Sequence, residues 1–321
     1  MRVPLPAAMM TMLSAMLSLS PDRSAAPATR GHRFRLRIIA ALCGVSLLLS
    51  GCSALRIGYS QAADLAYWWF DGYADFNGDQ TRRVREALAQ WFGWHRKTQL
   101  PDYAQLLVRA QAEVRGDITP ARVCEWQGEL LKRARTAWEQ AAPAAAEWAL
   151  SITPQQIQHI ERRYAKANDE FRDDYLQEDP RERVEATIKR TVDRAESLYG
   201  RLDATQRTRI AAAMARSPFD PELWLAERKQ RQQEALQLLR RLVADGASPE
   251  QAQGALRVYV GQLERSPRET YRRYSERLAE FNCAFAAGLH NSISPAQRRT
   301  ALNKLSGWEA DVRALAAPAS N

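Results

Sequence analysis

The sequence predicts an all-α fold, a multi-helix array of antiparallel helical hairpins, and three observations support this class. Strong helix formers such as Ala, Leu, Arg, Gln and Glu dominate the chain after residue 52. Apolar residues recur at spacings of three and four, as in "EALQLLRRLV", which contains Leu236, Leu239 and Leu242. Similar polar motifs recur where these apolar patterns begin. Strand-like alternation is rare by comparison.

The recurring motifs are helix starts with one chemical plan. A short polar side chain accepts hydrogen bonds from free backbone N–H groups, and a Gln three residues later reaches back to the cap. Pro at the first helical position fits, because its missing N–H had no partner there. The motifs are "FNGDQ" (76–80), "ITPQQ" (152–156), "LDATQ" (202–206), "ASPEQ" (247–251) and "ISPAQ" (293–297). The predicted helices cover 55–74, 78–98, 101–115, 120–149, 154–178, 180–200, 204–216, 221–245, 249–264, 267–290 and 295–316.

The motifs resemble the "LTxxQ" motif of Spy-like periplasmic chaperones, over islands of five residues. Capping chemistry accounts for each island without common descent, and the irregular spacing argues against a solenoid of fixed period. No Gly- or Ser-rich linker marks a boundary. We therefore expect one helical domain over 52–321, with 145–152 as the candidate subdivision.

Residues 33–52, "RFRLRIIAALCGVSLLLSGC", have the organisation of an export signal. Three Arg precede an apolar run at 38–49 that is too short to span a bilayer comfortably. The run ends in Leu49-Ser50-Gly51-Cys52, which fits the bacterial lipobox. We expect cleavage between Gly51 and Cys52, acylation of Cys52 with palmitate-type chains, and removal of residues 1–51 as an extended N-terminus and signal peptide. The alternative is a Cys that happens to end an apolar run.

Acyl chains on Cys52 would anchor the chain to a bilayer without spanning it. Ser53 in place of Asp favours the outer membrane, so the expected location is its periplasmic face. Six Arg and one Asp lie before Cys52, which leaves 40 basic and 36 acidic residues and a formal charge of +4. These charges are mixed along the helices, without the basic block typical of nucleic-acid binding.

Two further cysteines, Cys124 and Cys283, remain after processing. The periplasm is oxidising, so two leftover thiols predict one disulfide. The alternative is two buried, unpaired Cys that pack as small hydrophobes.

An aromatic segment, "YWWFDGYADFNGDQ" (67–80), follows the predicted anchor. Core packing is its default interpretation: a turn near Phe76 would bring the face of Tyr67, Phe70 and Tyr73 against that of Trp91, Trp94 and His95. Adjacent tryptophans cannot both face one core, so one is expected at the bilayer interface or on a partner. The candidate partner-binding residues are Trp68, Trp69, Asp71, Tyr73, Trp94 and His95.

Neither a metal nor another cofactor is expected. "DFNGDQTRRVRE" (75–86) places acidic and amide residues as a calcium loop does, but Gln80 replaces the required Gly and three Arg would repel a cation. Asn77 as a helix N-cap explains the segment better. Three His remain after processing, namely His95, His159 and His290, and none has a second His or Cys at ligand spacing.

No catalytic residue is predicted, because nucleophile and phosphate-loop motifs are missing from the sequence. His95 precedes Leu100-Pro101 near a predicted helix end. A cation interacting with terminal carbonyls is favoured there over a catalytic role.

Four segments are similar to an uncharacterised proteobacterial lipoprotein family known as a domain of unknown function. They are "LRIGYSQAADLAYWWFDGYADFNGDQ", "WHRKTQLPDYAQLL", "NDEFRDDYL" and "HNSISPAQRRTALNKLSGWEADVRALA". The Tyr-Trp…Asp-x-Tyr and Trp-His-Arg elements are its distinctive parts. The resemblance implies an envelope lipoprotein and brings no known activity.

The predicted function is therefore non-catalytic binding of an envelope protein, as an adaptor, assembly factor or chaperone-like module. One alternative is a hydrolase or lyase acting on the cell wall or on lipids through a hidden carboxylate. A buried carboxylate in a deep polar cleft would favour it. Another alternative is a structural spacer without a discrete partner.

Overall fold

The computed structural model describes residues 54–317, so Gly51, Cys52 and the predicted signal 1–51 lie outside the described residues. Within that range the chain forms twelve α-helices and one π-helical turn, with no strand. The predicted all-α class is confirmed, and every predicted helix start lies within two residues of an observed one.

The helices follow one another along the chain with short connections. They are α1 (Ala54–Ser60), α2 (Ala62–Ala74), α3 (Gly78–Trp94), α4 (Leu100–Glu113), α5 (Pro120–Leu150), α6 (Pro154–Tyr175), α7 (Pro180–Tyr199), α8 (Ala204–Met214), α9 (Pro221–Ala244), α10 (Pro249–Glu264), α11 (Glu269–Asn291) and α12 (Pro295–Ala316).

Two predicted helices differ from the structure. The range 55–74 is divided at Gln61 into α1 and α2. The range 78–98 does not end before Pro101, because a π-helical turn at His95–Gln99 carries α3 into α4. Pro101 has no N–H for the carbonyl of Lys97 and its ring crowds that carbonyl, and a wider turn relieves both problems. The stretch 141–146 does not interrupt α5, which continues through Pro143.

The long helix α5 is the centre of the fold and contacts α3, α9, α10 and α11. Its buried face carries Ala142, Ala146 and Ala149, whose small side chains let neighbouring helices approach closely. Ala146 and Ala149 pack with Ile157 of α6, Leu239 of α9 and other apolar residues in one core cluster. The C-terminal helix α12 returns along α4, so the two ends of the described chain lie together.

Two glutamines that complete capping boxes also bind each other across helices. The backbone N–H of Asn77 donates to Gln80 Oε1 (3.2 Å), and that of Thr153 donates to Gln156 Oε1 (3.0 Å). Each side-chain amide N–H₂ donates to the other's Oε1, at 3.2 Å from Gln80 and 2.6 Å from Gln156. Gln80 further donates to the Ser151 carbonyl (2.9 Å). We call this buried pair the first glutamine pair.

Gln206 and Gln297, at the starts of α8 and α12, form a second glutamine pair with the same geometry. Their amides exchange hydrogen bonds at 2.8 and 2.9 Å and also donate to the carbonyls of Ser292 (3.1 Å) and Arg201 (2.9 Å). Matching helices surround the pairs. The first unit consists of α2, α3, α5 and α6, and the second unit consists of α7, α8, α11 and α12. The contacts α2–α3, α2–α6 and α3–α5 of the first unit correspond to the contacts α7–α8, α7–α12 and α8–α11 of the second. The fold therefore contains an internal repeat of a four-helix unit.

The predicted disulfide is confirmed. Cys124 of α5 is bonded to Cys283 of α11, with a Cα–Cα distance of 5.5 Å. Because α5 belongs to the first unit and α11 to the second, this bond is a covalent link between the two four-helix units.

We expect the glutamine pairs to stabilise the fold more than capping alone. Gln156→Ala removes a capping contact, both hydrogen bonds to the buried Gln80 amide and the donor to the Asp75 carbonyl, so the free energy of unfolding should fall by roughly 3 kcal/mol. Gln80 keeps its bonds to Ser151 and Asn77. Gln251→Ala is the matched control, because Gln251 completes the same box but is exposed and bonds no other helix in the described chain. Its loss should not exceed about 1 kcal/mol. Urea unfolding measures both; equal losses would show that the pairing adds nothing.

Candidate interaction surface

The two predicted aromatic faces do not meet, so the expectation of one shared seam is wrong. Tyr67 lies against the start of α3, with its hydroxyl 3.1 Å from Thr81 Oγ1 and the guanidinium of Arg85 over its ring at 3.8 Å. The end of α3 instead reaches α1, where Tyr59 and Phe92 meet edge to face. In an antiparallel pair with its turn at 75–77, residues late in α3 can only oppose residues before α2.

His95 belongs to a closed aromatic cluster. Its ring stacks on Trp91 with centroids 4.8 Å apart and meets Tyr103 of α4 edge to face. Nδ1 shares a hydrogen bond with the Tyr59 hydroxyl (2.8 Å). Burial lowers the pKa of His95 to about 4, so the ring is neutral at pH 7.

The expectation that His95 acts as a cation at a helix end is therefore wrong, because the helical path continues into α4 and the ring is uncharged. Its buried side chain is also not presented to a partner. Trp94, the neighbouring candidate, is half-buried beside the cluster.

Helix α2 and the preceding α1 carry three large apolar side chains that face solvent. Trp68 is 72% exposed, Ile57 60% and Leu65 54%. Leu65 and Trp68 are three residues apart on one face of α2, and Ile57 lies in α1, just before the break at Gln61. We call Ile57, Leu65 and Trp68 the apolar stripe.

A second group lies a quarter-turn away, where α2 meets α6. Trp69 and Tyr73 are half-buried with ring centroids 5.1 Å apart, and Tyr73 packs on Tyr164. The guanidinium of Arg163 lies 5.2 Å from the Tyr73 ring centre. Within residues 54–317, Nε of Arg163 has no hydrogen-bond partner and no carboxylate pairs with the side chain. We call Trp69, Tyr73 and Arg163 the aromatic rim.

Asp71 closes the turn after α2. Its carboxylate accepts the Phe76 backbone N–H (3.0 Å), while the N–H of Asp75, in the left-handed region at φ 49°, donates to the Asp71 carbonyl. The next helix starts at Asn77, whose side chain accepts the Gln80 N–H (3.0 Å), which confirms its predicted role as N-cap.

Comparison with known proteins adds one finding. A family model described as "Family of unknown function (DUF6279)" matches residues 72–254. The chain belongs to this family. The match includes Tyr73 and Arg163 of the aromatic rim and the first glutamine pair, while the apolar stripe precedes it. Searches of curated proteins and of solved structures returned no match.

The most buried carboxylate of this DUF6279 chain that is described, Glu227, serves an ion pair. It accepts hydrogen bonds from Arg231 (2.8 Å) and Arg268 (2.5 Å). Burial opposes its ionisation, but the hydrogen bonds from Arg268 and Ser266 and the charges of Arg231 and Arg268 together outweigh burial and lower its pKa. Glu227 therefore stays ionised and is not poised to donate a proton at pH 7.

The other polar residues considered for catalysis or metal binding are distributed over the molecule. His290 lies between the Tyr199 hydroxyl (3.0 Å) and the Gly116 carbonyl (2.9 Å), and burial lowers its pKa. No group of three or more His, Cys, Asp or Glu suited to a metal occurs in the described part of the chain. The helices described there include none long and apolar enough to cross a bilayer.

Three residues of this surface were not singled out from the sequence. Leu65 could have been found from its three-residue spacing to Trp68, whereas the exposure of Ile57 depends on the break at Gln61. Arg163 carries no local signal, because its significance comes from α6 packing beside Tyr73.

Titration of His95 should make stability pH-dependent. A His with a pKa near 6.5 when unfolded and about 4 when folded binds more protons in the unfolded chain, so stability is complete above pH 6.5 and is lost as the pH falls towards 4. From pH 7 to pH 5 the His95 contribution should fall by roughly 2 kcal/mol. His95→Gln, which keeps a polar group beside Tyr59 without titrating, should remove that part of the pH dependence in urea unfolding. An unchanged pH dependence would show that His95 is not held neutral.

Proposed function

We propose that this DUF6279 protein is a lipid-anchored lipoprotein at the periplasmic face of the outer membrane that acts by binding an envelope protein. The anchor is supported by the sequence at 33–52, with its basic start, short apolar run and lipobox cysteine. The Cys124–Cys283 bond supports an oxidising compartment such as the periplasm.

The aromatic rim carries the proposal that the protein works by binding. Trp, Tyr and Arg are the residue types most enriched at the centres of protein interfaces. Tyr73 is held by packing on Tyr164 of α6, and Trp69 is held by packing on Phe70 and Tyr73, so little side-chain entropy would be lost on binding. A half-exposed and pre-ordered group of these residues is a suitable anchor for a partner.

Arg163 indicates the chemistry of that partner. Its guanidinium has an aromatic ring beneath it, but no carboxylate within the described chain compensates its charge. A carboxylate from a partner would compensate that charge in the fork geometry that guanidinium favours. We therefore expect the partner to present an acidic side chain together with apolar surface.

The anchor is tested by Cys52→Ala. In cells fed labelled fatty acid, the native chain should incorporate label and the variant should incorporate none, because the thiol that accepts the lipid is gone. The chain should also float with membranes in a density gradient only when Cys52 is present. Equal labelling of the two chains would contradict lipidation at Cys52.

Binding is tested by a photo-reactive phenylalanine derivative at Trp69, irradiated in cells. We expect one or two discrete protein adducts, and Arg163→Glu should lower their yield about tenfold, equivalent to roughly 1.4 kcal/mol of binding. Arg162→Glu is the matched control, because it changes the charge equally on the neighbouring exposed position of α6.

Thermal unfolding of both variants checks that the fold is retained. Equal adduct yields in the two variants would contradict a role of the rim. A smear of many adducts would indicate a chaperone that binds unfolded clients in place of one partner.

A further inference from the structure

We infer that the apolar stripe is a membrane-contact surface, and that α1 and α2 lie along the bilayer that holds the acyl chains of Cys52. This inference rests on the proposed lipidation and deepens it, because it fixes which side of the molecule faces the lipid. The occupant of the stripe is the interfacial region of the bilayer, and the aromatic rim is left for the protein partner.

The stripe is continuous in a way that other exposed apolar residues are not. Leu65 and Trp68 lie on one face of α2, and Ile57 is exposed in α1 immediately before it, so all three fall within twelve consecutive residues. The remaining large exposed apolar residues of the described chain each lie on a different helix. They are Val108, Leu130, Val184, Val243 and Val258. Scattered residues of this kind are normal, whereas an apolar line marks a contact surface.

The position of the predicted anchor favours lipid as the occupant. Cys52 precedes the first described residue, Ala54, by two positions, so an extended connection spans at most about 7 Å. A helix attached that closely to acylated Cys52 begins at the bilayer surface. Trp68 suits the interface, since an indole ring has an apolar body and a polar N–H and is enriched at that depth.

The charges beside the stripe are compatible with a bilayer. Asp64, the carboxylate nearest to Leu65 in sequence, is paired with Arg85 at 2.8 Å. Arg56, next to Ile57, is paired with the largely buried Asp311. Neither carboxylate would therefore reach the headgroups as an isolated negative charge. Three side chains are too few to hold a protein on a membrane, so the stripe orients a chain that the lipid anchors.

The rim and the stripe can be used together. Consecutive residues of a helix differ by about 100° around its axis, so Trp69 faces sideways when Trp68 faces the bilayer. Tyr73 and Arg163 lie on the same side as Trp69, towards α6. A partner can therefore reach the rim while the stripe rests on lipid.

The test uses the mature acylated protein in vesicles of phosphatidylethanolamine and phosphatidylglycerol. An environment-sensitive fluorophore is attached at Gln61→Cys, an exposed position that lies between Ile57 and Leu65 in the chain and leaves the stripe intact. The matched control carries the fluorophore at Val258→Cys on α10, where the native side chain is 62% exposed. The two native cysteines in the described chain are bonded to each other, so the new thiol is labelled selectively.

We expect the fluorophore at position 61 to shift to the blue and to lose most of its emission to nitroxide-labelled lipid, while the control stays unshifted and unquenched. Leu65→Ser combined with Trp68→Ser should abolish the shift and the quenching without preventing flotation. Both residues are exposed, so the fold should tolerate the change.

Three other outcomes would contradict either the proposed lipid anchor or the membrane-contact surface. Failure of the native protein to float with vesicles would contradict the proposed lipid anchor. Flotation with a position-61 fluorophore as solvent-exposed as the control would overturn the membrane-contact surface and leave the anchor standing. A blue shift without quenching by lipid would overturn it as well, and would indicate that protein, such as a second copy of the chain, covers the stripe.

Discussion

The two glutamine pairs are the interaction on which the rest of the fold depends. A helix start leaves free N–H groups, and a chain turning into a helix leaves free carbonyls beside them. Each paired Gln serves both needs: its oxygen accepts from its own cap and from its partner's amide, and its N–H₂ donates to that partner and to a neighbouring carbonyl. Because these polar groups are satisfied, the side chains can be buried where helix ends converge.

This constraint explains how an irregular sequence builds a regular arrangement. Each pair fixes two helix starts that are far apart in the chain, and four helices pack around it. The two resulting units are linked by the Cys124–Cys283 bond, and α12 returns along α4. The repeat is not evident from the sequence, because the helices that lie between the two members of each glutamine pair differ in number and length. The cap of α10 uses the same chemistry, but its Gln251 bonds no second glutamine within residues 54–317, so the motif alone does not identify a pair.

Local signals in the sequence predicted helix starts well, since a cap is decided by residues three positions apart. The predictions that failed depended on register and on distant packing. The turn at 75–77 sets which residues of α2 and α3 meet, so Phe92 and His95 meet Tyr59 of α1 and not Tyr73. Pro101 produces a π-helical turn instead of a helix end, and this removed the reason for a charged His95. The partners of Gln156 and Arg163 lie more than 70 residues away, where no sequence spacing points to them.

Helix α2 depends both on local sequence and on distant packing. Four consecutive residues in one of its turns lie in four different environments. Tyr67 packs against α3, Phe70 is half-buried beside the Trp69 ring, Trp69 joins the rim beside α6 and Trp68 faces outwards. The first glutamine pair fixes α3 to α6, and α2 lies across both, so the rotation of α2 about its axis is determined by the core. If the stripe rests on lipid, that same rotation sets the direction in which Arg163 faces. A partner would then approach along the membrane surface with its acidic group close to the headgroups, which favours a protein that is itself held at the bilayer.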